Sequence, residues 1–295
     1  LCRSALARLE RDGRLATRIF SNLTMGDLEG DLPVLEGPWV RSGHVKVFAD
    51  GSLGSLTARM LEPYQGRPGD RGLWSTPPRE LEEVFARCAR RGLPVSVHAI
   101  GDEAVQVCLD LLERLPRRPP EAAPHRVEHA QTLVGSDVGR LARLGVVASM
   151  QPSHLLDDLE LADSALGPRS ERAYRLRGLL QAGAVLAFGS DAPVAEPAPF
   201  LGIHAAVYRQ RPEHPERGPW HGAERIRVEE ALAACTSGAA RAAGAQGQVG
   251  RLAVGMRADL CVLDADPFVL EARAARLDQI GSRLTVVDGQ VVHEG

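Results

Sequence analysis

Four residues that can bind a metal or carry a charge occupy matching places in the 295-residue chain: Lys46 in HVKVF, His98 in VSVHAIGD, His129 in RVEHA and Asp191 in AFGSDAP. Each lies in or directly after a short apolar run typical of a buried strand. His129 follows His98 by 31 residues and Asp191 follows His129 by 62, which matches one and two strand–helix units of about 30 residues. Lys46 precedes His98 by 52 residues, which is one such unit plus the Gly/Pro-rich insertion at 51–72. These spacings predict that all four side chains project from the same end of one parallel sheet.

Two imidazoles and a carboxylate suit a divalent metal such as zinc, which accepts nitrogen and oxygen ligands at about 2.0–2.2 Å. A catalytic metal keeps one position open for water and lowers the pKa of that water to about 7. A single histidine at a strand end is more often a hydrogen-bonded structural residue, so the prediction depends on the whole set. We therefore expect Lys46, His98, His129 and Asp191 to surround a metal centre.

The elements that must position these residues alternate between strand and helix. Strand patterns cover residues 17–23, 44–50, 94–100, 125–130, 145–152 and 184–191, and helix patterns cover 78–92, 101–115, 135–145, 170–183 and 227–244. Such alternation predicts a parallel α/β sheet. The GxGxxG fingerprint of an open dinucleotide-binding sheet does not occur, whereas polar residues at the ends of several strands are typical of a (β/α)8 barrel of the TIM type.

The character of the chain changes at residue 248. From there the sequence is β-rich, with turn signals at residues 254–256 and at Asp288-Gly289, and with a single short helix pattern at 268–276. We predict a barrel domain at 1–247, followed by a C-terminal β-module at 248–295.

Composition excludes several classes of function. The net charge is −3 and no basic stripe occurs, which argues against a nucleic-acid partner. No apolar run approaches the ~18 residues of a membrane-spanning helix. The five cysteines are far apart and form no CxxC motif, so the sequence favours a reducing, cytoplasmic location.

The motifs VKVFADGSLGS, VHAIGD, RVEHAQ, QPSH, FGSDAPV and GRLAVGMRADLCVLDADP together resemble the amidohydrolase superfamily, in particular its branch that contains N-substituted formamide deformylase. The resemblance runs from about residue 40 to the end of the chain. It implies a distorted (β/α)8 barrel with a β-sandwich made from both chain ends. It also implies that Lys46 is the strand-four ligand, His98 the strand-five ligand, His129 the strand-six ligand and Asp191 the strand-eight ligand of one or two divalent ions, most simply zinc.

Composition gives a separate reason to single out Lys46, because it is the only lysine among the 35 lysine and arginine residues. In many members of the superfamily the strand-four lysine reacts with CO2 to give a carbamate, an anion that can bridge two metals. Arginine stays protonated and cannot do this, whereas a buried lysine shifts its pKa readily. Two alternatives remain: a structural lysine whose charge reaches the surface or pairs with a carboxylate, and an uncarboxylated lysine beside one metal.

The chain departs from the family pattern in two respects. It contains no His-x-His pair, which supplies the strand-one ligands, and six strand patterns are too few for eight strands. We therefore expect a barrel that lacks its first two strands and a β-module that is half of a composite sandwich. We expect this chain alone to be weakly active or inactive, and to form homo-oligomers through exposed sheet edges.

Three further residues are predicted to contact a substrate. His154 in QPSH follows the fifth strand pattern, where loops reach substrate, and Asp50 and Ser52 follow Lys46. A strand-end turn is the alternative role for Asp50 and Ser52.

Two neighbouring carboxylates are given other roles. Asp102 in HAIGD is expected to cap the helix that follows rather than to orient a ligand histidine. Glu128 is expected to point away from the site, because side chains alternate along a strand and His129 points inward.

These residues predict a metal-dependent hydrolase of C–N bonds in small amides, formamides or cyclic amides. Asp191 would bind metal, take a proton from water and pass it to the leaving amine. Two alternatives stay open. The first is a non-catalytic fragment or degenerate barrel, and an upstream His-x-His would argue against it. The second is a hydrolase of another bond class, such as a lactone or phosphotriester. A substrate panel would distinguish the second.

Overall fold

The computed structural model describes residues 3–32 and 34–295; Leu1, Cys2 and Pro33 lie outside the described part. A six-stranded parallel sheet, with its strands in chain order, comes first. Its strands are β1 (Ile19–Leu23), β2 (Val40–Phe48), β3 (Val95–Ala99), β4 (Arg126–His129), β5 (Val147–Met150) and β6 (Leu186–Phe188). All six lie within the predicted strand patterns or overlap them.

The polarity of each face of this sheet is set by the alternation of side chains along the strands. In β2, Val45 and Val47 are fully buried in the main core. Lys46 lies between them, so it points to the opposite face, where it is in register with Ser96 of β3. One face of the sheet is therefore apolar and covered by helices, and the other carries the polar residues.

The helices pack mainly on the apolar face. They are α1 (Arg3–Arg11), α2 (Pro78–Arg90), α3 (Asp102–Glu113), α4 (Gly135–Leu144), α5 (Pro152–Leu166), α6 (Leu176–Gln181), α7 (Pro199–Tyr208), α8 (Val228–Ala233), α9 (Ala239–Ala242) and α10 (Pro267–Ala272). Four of them begin with proline. Its fixed φ suits a helix, and its missing N–H costs nothing there because an N–H in the first turn has no partner within the helix. No helix of the described ranges is both long enough and apolar enough to cross a lipid bilayer.

The helix patterns at 78–92, 101–115 and 135–145 are confirmed, but the pattern at 170–183 was wrong in its first half. There the chain forms a 3-10 turn at Gly167–Arg172, and the α-helix begins only at Leu176. Between them Tyr174 has a φ of 52° and its N–H bonds to the Gln131 carbonyl at 2.8 Å. A contact with the segment after β4 therefore prevents a continuous helix.

The pattern at 227–244 is helical but interrupted by a π-turn at Ala234–Gly238. Here the backbone lies directly against β6, because a Cβ added to Gly238 would come within 2.0 Å of the Leu186 carbonyl oxygen. Only glycine fits such a close approach.

A three-stranded antiparallel sheet follows, formed by β7 (Leu260–Leu263), β8 (Ser282–Val287) and β9 (Gln290–Glu294). Leu260, Val262 and Val291 in this sheet are exposed. The two sheets together fit a TIM-like α/β fold with a β-rich C-terminal part. That two barrel strands and half of a sandwich are missing stays a prediction, as do the domain boundaries.

Candidate metal centre

Three side chains from three parts of the fold meet at the carboxyl ends of β4, β5 and β6. His129 ends β4, His154 is the third residue of α5, and Asp191 lies in the loop after β6. One ligand atom from each lies within 4.8 Å of the other two. Two atoms bound to the same ion at about 2.1 Å can be at most about 4.2 Å apart, so shifts of roughly half an ångström would close this triad around an ion.

Two members of this triad have an unusual backbone conformation. His129 has a φ of 71° and Asp191 a φ of 58°, both in the left-handed region that side chains with a Cβ seldom adopt. His129 is buried, and its Nδ1 has no hydrogen-bond partner within residues 3–32 and 34–295. A buried polar atom without a partner costs about 1–3 kcal/mol, and a bound cation would remove that cost. The triad therefore fits a divalent metal.

His98 lies beside the triad rather than within it. Its ring centre is 4.6 Å from that of His129, with the rings edge to face. Its Nε2 lies 2.8 Å from the Gly51 carbonyl oxygen, which can only accept, so Nε2 carries the proton and Nδ1 keeps a lone pair. Histidines that bind metals commonly donate their second nitrogen to a carbonyl in this way.

Lys46 is half-buried on the polar face of the sheet. Its Nζ lies 4.8 Å from the centre of the Phe48 ring, and it forms no hydrogen bond or ion pair with any described residue. Burial lowers the pKa of this ammonium, although the negative charge of Glu128 acts in the opposite sense. A lowered pKa raises the fraction of neutral amine.

The prediction that Glu128 points away from the site was wrong. Its carboxylate accepts a hydrogen bond from Ser96 Oγ at 2.6 Å and pairs with Arg126 at 2.5 Å, on the same face as Lys46. Burial would raise the pKa of Glu128, but the charges of Arg126 and Lys46 and the hydroxyl donors bring it to about 2. Alternation fails here because His129 leaves the strand conformation.

Asp50 holds the loop after β2 in place. Its carboxylate is buried and accepts three backbone N–H bonds of 2.8–3.1 Å. The donors are Arg59, Ile100 and Gly101. Burial raises the pKa of Asp50 to about 7 against the effect of these donors. Ser52 is half-buried in the same loop, with its hydroxyl 2.9 Å from that of Ser55. The geometry favours the strand-end turn as the role of Asp50.

The expected helix cap at Asp102 was also wrong. Asp102 is the first residue of α3, and its buried carboxylate accepts from the Leu61 N–H at 2.8 Å and from Arg172 at 3.1 Å. It therefore joins the loop after β2 to the 3-10 turn at Gly167–Arg172.

Asp158 is a residue of the site that the sequence analysis missed. Its Oδ2 accepts hydrogen bonds from Gln131 Nε2 at 2.7 Å and from the Tyr174 hydroxyl at 2.6 Å. Gln131 follows His129 by two residues, and Asp158 follows His154 by one turn of α5. Asp158 therefore ties the segment that carries one triad histidine to the helix that carries the other.

We expect Asp158→Asn to lower the affinity for zinc by up to about 10-fold, the lower end of the effect of groups bonded directly to a ligand, because Asp158 acts on His129 and His154 only through the segments that carry them. Asparagine keeps the volume but weakens the bonds from Gln131 and Tyr174. Competition against a chromogenic chelator measures the affinity. The control is Asp163→Asn on the same helix, where the carboxylate accepts a hydrogen bond from Trp220 Nε1 at 3.0 Å and lies 3.9 Å from His221 Nε2, away from the triad. Equal zinc affinity in both variants would contradict this role.

Comparison with known proteins places the chain in a family. The family described as "Amidohydrolase family" matches residues 6–293. One relative is the Bacillus subtilis (strain 168) protein YtcJ, which is named as an amidohydrolase. It is 35% identical over 266 residues, which are 89% of this chain and 49% of that protein. The N-substituted formamide deformylase of Arthrobacter pascens is 26% identical over 257 residues, which are 86% of this chain and 46% of that protein.

A solved structure agrees with these sequence matches. The crystal structure of an uncharacterized metal-dependent hydrolase from Pyrococcus furiosus has a TM-score of 0.78 and 35% identity, over 90% of this chain and 54% of that chain. The chain spans about half the length of the curated relatives it matches. The predicted superfamily is thus confirmed by a match over nearly the whole chain: the protein belongs to the amidohydrolase family.

Proposed function

We propose that the protein is a metal-dependent hydrolase of C–N bonds in small amides, formamides or cyclic amides. One observation carries the proposal above all: His129, whose buried Nδ1 has no hydrogen-bond partner in the described part of the chain, meets His154 and Asp191 at the strand ends of an amidohydrolase fold. The similarity to an N-substituted formamide deformylase supports amides as the substrate class.

His129, His154 and Asp191 would hold a divalent ion, most simply zinc, with His98 Nδ1 available beside them. When bound, such an ion polarises the substrate carbonyl and lowers the pKa of water. Asp191 is exposed at the mouth of the site, so its carboxylate can take a proton from the attacking water and deliver it to the leaving nitrogen. His154 is held by its Nε2–H bond of 3.2 Å to the Ser190 carbonyl.

Lys46 would take part as a carbamate. Its neutral amine would attack CO2, a new N–C bond would form as one C=O π bond opens, and one proton would leave to solvent, which gives an anionic carbamate in place of the neutral amine. The lowered pKa of Lys46 and the lack of a hydrogen-bond partner in the described ranges support this reaction. The carbamate would allow a second ion near His98.

The complete site is proposed to need two more barrel strands that carry a His-x-His pair. Within the described ranges the sheet ends at β1 and β6, and the small antiparallel sheet exposes Leu260, Val262 and Val291. Both features are those expected of a barrel and a sandwich that additional strands complete.

The test compares residues 1–295 with the same chain extended by the coding sequence that precedes it. Both proteins are supplemented with zinc and assayed against formamides, other amides, cyclic amides, a lactone and a phosphotriester. We expect release of amine by the extended protein and much slower release by residues 1–295, which should also form oligomers. Turnover of only the lactone or the phosphotriester would overturn the C–N assignment, and full activity of a monomer of residues 1–295 would overturn the need for further strands.

A further inference from the structure

A cavity of about 280 Å³ adjoins the candidate metal centre at the end of β6. Its wall includes Ser190, which precedes Asp191, and Ser153, which precedes His154. Two of the three triad residues are therefore direct chain neighbours of the cavity wall. A group that occupies the cavity lies next to the reacting centre.

The chemistry of the wall selects a neutral, apolar occupant. Phe188, Pro199 and Cys235 contribute to it, and none of its lining residues carries a charged side chain. A charged group would lose its hydration there without gaining a counter-ion. Since a cavity of about 150 Å³ can hold benzene, this volume suits a substituent of roughly six to ten non-hydrogen atoms.

Gly202 gives the second observation. It lies within α7, where glycine lowers the stability of a helix relative to alanine. No close packing requires it, since a Cβ added there would meet no atom within 4 Å. Gly202 is also one of the residues that line the cavity. A side chain can therefore start at position 202 without a clash at Cβ, and we expect a larger one to take up space in the cavity.

The protein has a larger depression, but its chemistry is different. It has a volume of about 510 Å³ and is lined by Arg79, Glu80, Glu83 and Arg87, among others. It shares no residue with the triad, and its walls are charged. It is therefore a poor site for an apolar substituent.

We propose that the cavity is the specificity pocket of the enzyme, that it takes a neutral hydrophobic substituent of the substrate, and that Gly202 sets its depth. The substituent is the one on the leaving nitrogen, because the wall continues through Ser190 to Asp191, the residue that would protonate that nitrogen. This inference rests on the proposed function.

The test uses Gly202→Ala and Gly202→Leu in the extended, zinc-supplemented protein. The substrates are formamides with N-methyl, N-propyl, N-pentyl and N-benzyl groups. Because one methylene in an apolar pocket changes kcat/KM about 10- to 200-fold, we expect Gly202→Leu to lower kcat/KM at least about 10-fold for the two largest groups. The value for the N-methyl substrate should change less than about twofold, and Gly202→Ala should lie between. The matched control is Gly139→Leu in α4, where an added Cβ also meets nothing within 4 Å.

A second measurement separates failure of the pocket from failure of the proposed function. Calorimetry of residues 1–295 without metal, titrated with 1-alkanols from ethanol to heptanol, reports occupancy of the cavity without any catalysis. Binding that strengthens with chain length and is lost in Gly202→Leu supports the pocket even if no amide is hydrolysed. Hydrolysis that falls equally for all four formamides in Gly202→Leu, or alkanol binding that this change leaves unaltered, would overturn the pocket.

Discussion

Replacing His129 and His154 together with alanine should reduce the zinc content of the metal-supplemented protein to background. Both imidazoles belong to the triad, and a zinc site seldom survives with one protein ligand. Elemental analysis after gel filtration measures the bound zinc. His214→Ala is the control, because that histidine is exposed and pairs with Glu216 at the surface. Stoichiometric zinc in the double variant would show that the triad is not a metal site.

A single His98→Ala variant tests whether His98 is a metal ligand, the point on which the sequence analysis and the structure differ. The sequence places His98 among the ligands, whereas the structure places it beside the triad. We expect His98→Ala to keep about one ion per chain while His154→Ala loses most of it. The reverse order would favour the ligand set predicted from the sequence.

Lys46→Arg should abolish binding of a second ion and lower kcat/KM at least about 100-fold in the active, extended protein. A guanidinium keeps the charge but stays protonated, so it cannot form a carbamate. Loss of the stabilisation that a metal ion supplies costs several kcal/mol, which is about 100-fold or more in rate. Metal stoichiometry with and without added bicarbonate, together with ¹³C NMR of protein equilibrated with ¹³CO2, follows the reaction.

The matched control for Lys46 is Phe48→Leu. This change removes the aromatic ring 4.8 Å from Nζ but keeps the amine. We expect it to retain the carbamate signal. Unchanged metal content and activity in Lys46→Arg would show that the only lysine of the chain is incidental to the site.

Much of the strand framework was predictable because buried strands leave a strong pattern. Val45 and Val47 flank Lys46, and Val95 and Val97 flank Ser96, so the apolar residues mark both the strand and the face that it buries. The period of about 30 residues then placed His98, His129 and Asp191 at one end of the sheet. These features depend on hydrophobic burial, which can be predicted from the types of the residues.

His154 shows what the pattern leaves out. The sequence placed it in a loop, but α5 begins at Pro152, and its first turn carries His154 into the triad. Proline followed by Leu155, Leu156 and Leu159 could have revealed this helix, since proline is common at the first helical position. The error was to read a helix start as a loop.

The error at Glu128 had a different origin. No residue pattern reports that His129 adopts a φ of 71°, because this conformation is set by the surrounding structure. The same holds for Tyr174, whose contact with Gln131 interrupts a helix pattern. Single-residue turns of this kind are tertiary effects, and they decide where functional side chains point.

The half-buried Lys46 amine also makes the protein unusual as a target for chemical labelling. Every other cationic side chain except histidine is a guanidinium, so an acylating reagent can modify only one side-chain amine. That amine lies on the polar face of the sheet, in register with Ser96. Its lowered pKa makes it nucleophilic nearer to neutral pH than an ordinary lysine. The same nitrogen cannot hold CO2 and an acyl group at once. The rate of acylation therefore reports how much of the Lys46 amine is free of CO2, and this readout needs no foreign residue.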